Sequence, residues 1–384
     1  MPGRFYFDHN ATTPLAGEVL EAFVSALRET PGNASSIHQF GQNARQKLEQ
    51  ARRQVANLLH AQAKEIVLVS GGTEANNLAL LGSVQPGDHV ITTAIEHPAV
   101  LNPCTRLQEL GVEVTIVRPR SDGLVEPEEI RRALRKNTAF ISVMHANNET
   151  GVIQPVEEIS AIAHSAGARM HVDGVQAAGK ITVDVQALGV DLYSVSAHKL
   201  YAPKGIGALY VRQGVSLRAQ MFGGRQERGR RAGTENVPAA VAFGVAAQWA
   251  VEHGPQESAR VARLRDRLEE KIFALVPGVE RNGQARNRLP NTTNLRFQGI
   301  SGEAMVIALD LRGFAVSSGS ACSSGSVEPS HVLLAMGLTA DEARSSVRIS
   351  LGRDNQEPEV DALAEAVAEC AAHLRRVSPV YCHA

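Results

Sequence analysis

Short apolar runs alternate with longer segments of helical periodicity along much of the chain. Between the runs, apolar residues recur at helical spacing at residues 75–82, 98–110, 128–136 and 156–166. Alternating strands and helices predict an α/β fold with a mostly parallel sheet, helices on both faces and a functional site at the carboxyl ends of the strands. The predicted strands are residues 65–69, 89–93, 112–117, 139–145, 169–172, 192–195 and 207–211.

The pattern changes near residue 254, where a charged amphipathic helix is predicted for residues 258–275. This helix and the elements after it predict a smaller α+β domain. We therefore predict a large domain at residues 15–255 and a small domain made of residues 1–14 and 256–384. The later elements are strands at 293–297, 314–317 and 347–351, with helices at 302–311 and 359–377.

Composition and charge narrow the range of partners. The 384 residues carry 39 basic and 40 acidic side chains, a formal net charge of -1 that gives no overall attraction to nucleic acid or to an anionic membrane. The most apolar long run, residues 237–251, is interrupted by Gln248 and is too short for a bilayer helix. The first residues lack the basic and apolar parts of a signal peptide. Four cysteines without a CxxC pair or metal spacing favour free thiols in a reducing cytoplasm.

Lys199 lies where a predicted buried strand opens into a loop, in the stretch DLYSVSAHKLYAPKGIGALYV. Ser196 and His198 fall in the same place. A lysine that is desolvated there has a lowered pKa and becomes a nucleophilic amine, which forms a Schiff base with an aldehyde. The alternative is an ordinary solvated lysine at a strand end.

A strand, a Gly-Gly-Thr turn and a helix follow one another in EIVLVSGGTEANNLAL. Gly71 and Gly72 allow a ligand to approach the backbone closely, and we expect Thr73 to cap a helix whose free N–H groups favour an anion. This combination predicts a phosphate site. A tight turn with a capping threonine explains the same residues about as well.

Asp173 ends another predicted buried strand, and Gln176 follows three residues later. A carboxylate in that position can pair with a protonated ring nitrogen, as an electron-sink cofactor requires. The alternative is a capping aspartate. Because Lys199 ends a later strand, the acid and the lysine together suit a pyridine ring that is held from opposite sides.

Other candidate residues also follow predicted strands. His97 suits stacking on an aromatic ring or proton transfer, or it is simply a helix-start residue. Asn147 and Asn148 in MHANNETG either bind a ligand or form an Asx-turn. Arg353, at the end of SVRISLGRDN, offers a planar guanidinium that can bind a carboxylate through two hydrogen bonds.

The segment SSGSACSSGS around Cys322 is rich in serine and glycine, so we expect a mobile backbone and an accessible thiol. Such a loop suits a nucleophile that must travel, and a small residue in a surface loop is the simpler alternative. Thr234 follows a run of arginines, for which we consider three interpretations: a solvated face, an anion site or a subunit contact. These arginines are Arg225, Arg228, Arg230 and Arg231.

Taken together, the motifs resemble the cysteine desulfurases of the NifS/IscS-like branch, within the class-V aminotransferases that use pyridoxal phosphate (PLP). The resemblance implies the aspartate-aminotransferase-like fold, type I, and a PLP cofactor. It runs from FDHNATTP to the last helix, through SGGTEANN, EHPAV, MHANNETG, HVDGVQAAGK, SAHKLYAPKGIGALY, RRAGTENVP and SSGSACSSGSVEPSHVLLAMG.

The resemblance also implies roles for individual residues. Lys199 would hold PLP covalently, Asp173 would pair with its ring nitrogen, and Gln176 would bond its ring hydroxyl. His97 would stack on the ring and take part in proton transfer. Further cofactor contacts are implied for Gly72, Thr73, Asn148, Ser196, His198 and, from the other subunit of a homodimer, Thr234. The substrate carboxylate contacts implied are Arg353, Asn148 and Asn33.

The implied reaction converts L-cysteine to L-alanine. Lys199 would remove the α-proton, and the Cys322 thiolate would take the substrate sulfur as a persulfide for a protein acceptor such as an iron–sulfur scaffold. The tail after residue 377 is shorter than in IscS-like members, so we expect scaffold docking to need another surface. The alternatives are a selenocysteine lyase, a small-substrate aminotransferase, which needs no thiol, and a non-catalytic sulfur-transfer platform, which needs none of these side chains.

Overall fold

The computed structural model describes residues 4–318 and 328–377 of the protein. Strands and helices are numbered in chain order, beginning with the short strand β1, Phe5–Tyr6. The strands of the large sheet are β2 Ile66–Val69, β3 His89–Thr93, β4 Glu113–Val117, β5 Thr138–Met144, β6 Arg169–Asp173, β7 Leu192–Ser196 and β8 Gly207–Val211.

The large sheet has the strand order β2-β8-β7-β6-β5-β3-β4. The strand pairs from β4 to β7 are parallel, whereas β8 runs antiparallel to both of its neighbours. The mostly parallel α/β sheet predicted from the sequence is therefore confirmed. Parallel pairing of β6 with β7 brings their carboxyl ends to one edge of the sheet, so Asp173 lies next to the loop that carries Lys199.

Helices pack on both faces of this sheet because its strands are apolar on both sides. Ile66 and Leu68 belong to a large apolar cluster on one face, while Val67 and Val69 belong to a second cluster on the other. Within residues 4–318 and 328–377, none of the helices combines the length and apolar character that crossing a bilayer requires. The first seven helices are α1 Gly17–Glu29, α2 Gln39–Leu58, α3 Gly72–Ser83, α4 Pro98–Glu109, α5 Pro127–Ala133, α6 Val156–Ser165 and α7 Val237–Leu275.

The remaining strands form two small sheets. β1 pairs in parallel with β11, Phe314–Ala315. The strand predicted at residues 314–317 therefore ends early, and Ser317 makes only an isolated bridge to Arg348. The other sheet has β10, Thr292–Phe297, between its antiparallel neighbours β9, Val279–Arg281, and β12, Ser346–Ser350. The last helices are α8 Gly302–Leu311, α9 His331–Ala335, α10 Ala340–Arg344 and α11 Glu357–Val377.

The chain was predicted to change structure near residue 254, but helix α7 continues through Pro255. Its first half contributes Ala250 to the large cluster, and its second half contributes Val261 to a separate cluster formed with β10, β12 and α11. Burial of each half against a different core favours one continuous helix despite the proline. We propose that these cores belong to the large and small domains, although Val332 of α9 packs in the large cluster.

Candidate active site

A cavity of about 400 Å³ opens at the carboxyl ends of β5, β6 and β7. The N-termini of α3 and α4 also reach it, as expected for an α/β sheet whose ligands bind beyond the strand ends. The cavity is lined by Asn10, Ala11, Gly72, Thr73, Asn76, His97, Ala99, Met144, Ala146, Asn148, Asp173, Val175, Gln176, Ser196, His198, Lys199, Ser317 and Arg348.

Lys199 ends a single turn of 3₁₀ helix directly after β7. Its Nζ donates hydrogen bonds to the backbone carbonyls of Asn10, at 2.5 Å, and Ala11, at 2.6 Å. Burial, followed by the positive charge of Arg348, lowers the pKa of Lys199 to about 8, while nearby carboxylates offset the shift in part. A lysine with this pKa provides neutral, nucleophilic amine at neutral pH.

Asp173 faces the same cavity from the end of β6 and is buried. Its Oδ1 accepts the backbone N–H of Val175 at 3.0 Å, and its Oδ2 accepts Nδ2 of Asn76 at 2.7 Å. The contact with Val175 is an Asx-turn and not the helix cap that we considered as the alternative, since none of the described helices begins between β6 and β7. Each carboxylate oxygen has a second lone pair, so the same group can also pair with a protonated ring nitrogen.

The Gly-Gly-Thr turn provides a helix N-terminus at the cavity wall. Helix α3 begins at Gly72 with Gly71 as its N-cap, so the predicted capping role of Thr73 is wrong, although Thr73 does line the cavity. A Cβ atom at Gly72 would lie 2.7 Å from Cγ2 of Val175. Only glycine avoids this contact with Val175, and the first N–H groups of the helix favour an anion there.

Ser196 and His198 complete this part of the wall from the end of β7. Burial, followed by the charges of Lys199 and other lysines, lowers the pKa of His198 to about 4. The imidazole is therefore neutral near pH 7. One ring nitrogen, Nδ1, lies 3.1 Å from Oγ1 of Thr12, and the other is available as a hydrogen-bond donor or acceptor in the cavity.

His97, Gln176 and Asn148 also line the cavity. His97 is the N-cap of α4, and its Nδ1 accepts the N–H of Ala99 at 3.0 Å. It is thus both a helix-start residue and a cavity residue, and burial lowers its pKa. The neighbouring Asn147 forms the Asx-turn instead, since its Oδ1 accepts two backbone N–H groups.

Arg353 and Asn33 are not brought into the cavity, and we correct the assignment of Arg353. Its guanidinium makes two hydrogen bonds to Glu18, at 2.7 and 3.1 Å, and lies over the rings of Tyr201 and Trp249. The loop after β12 directs this side chain toward α1 and α7 and away from the cavity. Asn33 is exposed, with its Oδ1 accepting the N–H of Ser35 at 2.8 Å.

Arg348, which the sequence reasoning missed, occupies the cavity in place of Arg353. Its guanidinium bonds Asp8 at 2.7 Å and the carbonyl of Asn148 at 3.2 Å. A signal was present in the sequence, because Arg348 interrupts an apolar strand and alternation places it on the face opposite Val347 and Ile349. Asn10 and Asn76 were also missed, since nothing in their local sequence marks them.

Two predicted residues stand apart from this geometry. Thr234 is exposed and does not line the cavity of its own chain. Cys322 lies outside the described residues. Of the arginines near Thr234, Arg231 pairs with Glu74 in the first turn of α3, and Arg228 donates to the carbonyl of Lys64.

Comparisons with known proteins agree with this geometry. The chain matches the family model described as aminotransferase class-V over residues 5–363. It is 48% identical over 383 residues to "Cysteine desulfurase IscS" of Anaeromyxobacter sp. (strain Fw109-5), a match that covers 98% of this chain and 94% of that protein. The chain therefore belongs to the class-V aminotransferase family. Within that family, it belongs with the cysteine desulfurases.

Two solved structures show the same architecture. One, titled "NIFS-LIKE PROTEIN", is 37% identical with a TM-score of 0.90, covering 97% of this chain and 100% of that one. Another, titled "SspA in complex with cysteine", is 38% identical with a TM-score of 0.80, covering 90% of this chain and 98% of that one. These matches confirm the predicted PLP fold of type I.

The cavity fits PLP, the cofactor of this family. It combines a lysine amine of lowered pKa, a buried carboxylate and a helix N-terminus approached through Gly72. Among the described residues, the buried Oδ1 of Asn76 has no hydrogen-bond partner, and this residue lines the cavity. A bound group with a donor would satisfy that oxygen.

Proposed function

We propose that the protein converts L-cysteine to L-alanine and transfers the sulfur to Cys322 as a persulfide. The observation that carries the proposal is the convergence of Lys199, Asp173 and Arg348 on one cavity. An amine of lowered pKa, a buried carboxylate and a guanidinium together suit a PLP enzyme whose substrate is an α-amino acid. The names of the related cysteine desulfurases support L-cysteine as that substrate.

Residues that line the cavity would hold PLP in the roles that the resemblance implies. Lys199 would bind its aldehyde carbon, Asp173 its ring nitrogen, and the N-terminus of α3 with Thr73 and His198 its phosphate. Gln176 would contact its ring hydroxyl, and Ser196 and Gly72 would complete the phosphate side. When bound, PLP supplies an electron sink that stabilises a carbanion at the substrate α-carbon.

The protein groups would position the substrate and move protons. Arg348 and Asn148 would hold the substrate carboxylate, because both line the cavity and Arg348 donates to the carbonyl of Asn148. The amine of Lys199, partly neutral near its pKa of about 8, would accept the α-proton. His97, which also lines the cavity, would relay a proton, since burial favours its neutral form.

Sulfur transfer would be completed by Cys322. Its thiolate would attack the substrate sulfur, the bond between that sulfur and the substrate β-carbon would break, and the electron pair would remain with the carbon fragment. That fragment takes up protons and leaves as L-alanine, while Cys322 keeps the sulfur as a persulfide. L-cysteine and one thiol thus give L-alanine and one persulfide, with no external oxidant or reductant.

Two substitutions test the proposal. Lys199→Ala should abolish the absorbance of lysine-bound PLP and all turnover. Cys322→Ala should keep the yellow cofactor but stop sulfide release from L-cysteine, because only the acceptor thiol is removed. Mass spectrometry of the wild-type protein with L-cysteine should find a persulfide on Cys322 in step with alanine. Wild-type desulfuration by Cys322→Ala would contradict the persulfide mechanism.

We also infer a homodimer in which Thr234 completes the partner's cavity. The exposed position of Thr234 and the exposed apolar side chains of Ile37 and Phe222, at 91% and 87%, support this inference. Light scattering after gel filtration should give twice the 41.0 kDa chain mass. The outer sulfur of a persulfide can be transferred to a thiol. We therefore propose a cytoplasmic acceptor protein that bears a thiol, such as an iron–sulfur scaffold. Transfer of radiolabelled sulfur to that protein would detect it.

A further inference from the structure

A second lysine, Lys180, lies behind the wall of the active-site cavity. It follows β6 after a short turn, and Oγ of Ser258 on α7 donates to its carbonyl at 2.6 Å. Its Nζ donates to Oε1 of Gln176 at 2.7 Å and to Oδ1 of Asn10 at 2.8 Å. No carboxylate pairs with this amine in the part of the chain that the structure describes.

Lysine provides only donors, so it determines which end of a neighbouring amide faces it. The oxygen of Gln176 must point to Lys180, and its NH₂ group must therefore point the other way. There, Nε2 donates one hydrogen to the backbone carbonyl of Asn10 at 3.0 Å. The second hydrogen of the same NH₂ group remains for the cavity, which Gln176 lines.

The same reasoning applies to Asn10. Its Oδ1 accepts from Lys180 and, at 3.0 Å, from Nδ2 of Asn291. Its own Nδ2 therefore donates to the carbonyl of Asn148 at 3.0 Å and to Oγ1 of Thr292 at 2.9 Å. The backbone carbonyl of Asn10 also accepts from the Lys199 amine, so both lysines donate to Asn10, one to its side chain and the other to its backbone.

We propose that Lys180 is a positioning residue that holds the Gln176 amide with its NH₂ group toward the cavity, so that the site favours a cofactor ring carrying a hydroxyl acceptor. The inference rests on the proposed contact between Gln176 and the ring hydroxyl of PLP. Burial, followed by the charges of Lys199 and Arg348, holds the pKa of Lys180 well below its usual value. A neutral amine still has two hydrogens, one for each of its two amide acceptors, so the observed hydrogen bonds are satisfied in either charge state, and the charged form, which has no acceptor, enforces them.

The test measures the equilibrium binding of PLP, and of its analogue without the ring 3-hydroxyl, to cofactor-free full-length protein. One hydrogen bond to the ring hydroxyl predicts that the wild-type protein prefers PLP by roughly fivefold. Lys180→Met keeps most of the length of the side chain but removes its donors, so only the Asn10 carbonyl still orients Gln176 and the preference should fall toward one. Lys180→Arg keeps a donor-only group and should retain it.

Controls separate this role from a structural one. Lys136→Met removes an exposed lysine far from the cavity and should leave the preference unchanged. A merely structural Lys180 would weaken binding of both compounds equally in Lys180→Met, and an unchanged ratio would overturn the proposal. If that variant does not fold, Lys180→Gln replaces it, because glutamine can offer Gln176 either a donor or an acceptor. Equal ratios for Lys180→Gln and Lys180→Arg would then overturn it.

Two failures remain distinguishable. If the wild-type protein binds both compounds equally, the contact between Gln176 and the ring hydroxyl is absent and the inference falls with it, while the activity tests on Lys199 and Cys322 are unaffected. If the wild-type protein discriminates and Lys180→Met discriminates equally, only the role of Lys180 is wrong.

Discussion

The amine of Lys199 should be far more reactive than that of an ordinary lysine. Its pKa is lowered from the usual 10.5 to about 8 by burial and by Arg348. At pH 7, roughly one amine in ten is then neutral, against about one in three thousand at the usual value, a difference of roughly 300-fold. This neutral fraction is what allows covalent capture of an aldehyde at neutral pH.

Competitive labelling measures this pKa directly. Cofactor-free full-length protein is treated with a trace of acetic anhydride from pH 6 to 11, and the acetylated Lys199 peptide is quantified by mass spectrometry, with the exposed Lys136 as internal standard. We expect a midpoint near pH 8. Arg348→Met should raise the midpoint, because it removes a nearby cation and frees the Asp8 carboxylate that the cation pairs with.

Stability provides a second check on the same group. Because the pKa of Lys199 is lower in the folded chain than in the unfolded chain, the unfolded chain binds more protons between pH 8 and 10.5. The free energy of unfolding of the cofactor-free protein should therefore rise with pH across this window, relative to Lys199→Met. A labelling midpoint near 10.5, or a midpoint that does not move in Arg348→Met, would refute the reasoning.

Two further predictions concern arginine side chains. Arg348→Lys should raise the KM for L-cysteine by roughly 10- to 100-fold, because a charge-assisted bidentate contact with the substrate carboxylate is lost. Arg353→Lys should leave KM unchanged and lower the melting temperature, since the Arg353 side chain pairs with Glu18. Steady-state kinetics and calorimetry measure these effects, and the reverse pattern would restore the original assignment of Arg353. Arg52→Ala should cost about 3–5 kcal/mol in urea unfolding, because it leaves the buried carboxylate of Glu227, now held at 2.6 and 2.8 Å, without its cation; a loss below about 1 kcal/mol would contradict it.

The strands of the large sheet follow closely from the sequence because their signal is local. The bounds predicted for β3 and β8 are those observed, and the others differ by a residue or two. The N-terminal half of α7 was interpreted only as an apolar run, and the chain was expected to change structure near residue 254. Local composition cannot show that one helix packs its two halves against different cores.

Residues at strand ends were the best predicted part of the site. Asp173, Ser196 and Lys199 reach the cavity because parallel strands bring their carboxyl ends to one edge of a sheet. The arginine was assigned wrongly because the same rule was applied to β12, which belongs to a different sheet. In β12, Arg348 within the strand lines the cavity, and Arg353 after the strand does not.

The sequence alone thus determined the fold class, the lysine and the carboxylate that line one cavity, and the family to which the chain belongs. The fold class and the two side chains follow from short-range patterns of apolar periodicity and strand-end residues, and the family follows from the resemblance of the motifs. Only the tertiary structure decided which arginine reaches the cavity, how burial and neighbouring charges lower the pKa of Lys199, and why Lys180 matters. Those properties depend on groups that are distant along the chain, such as Asn10 and Gln176, and that only folding brings within hydrogen-bond distance of one lysine.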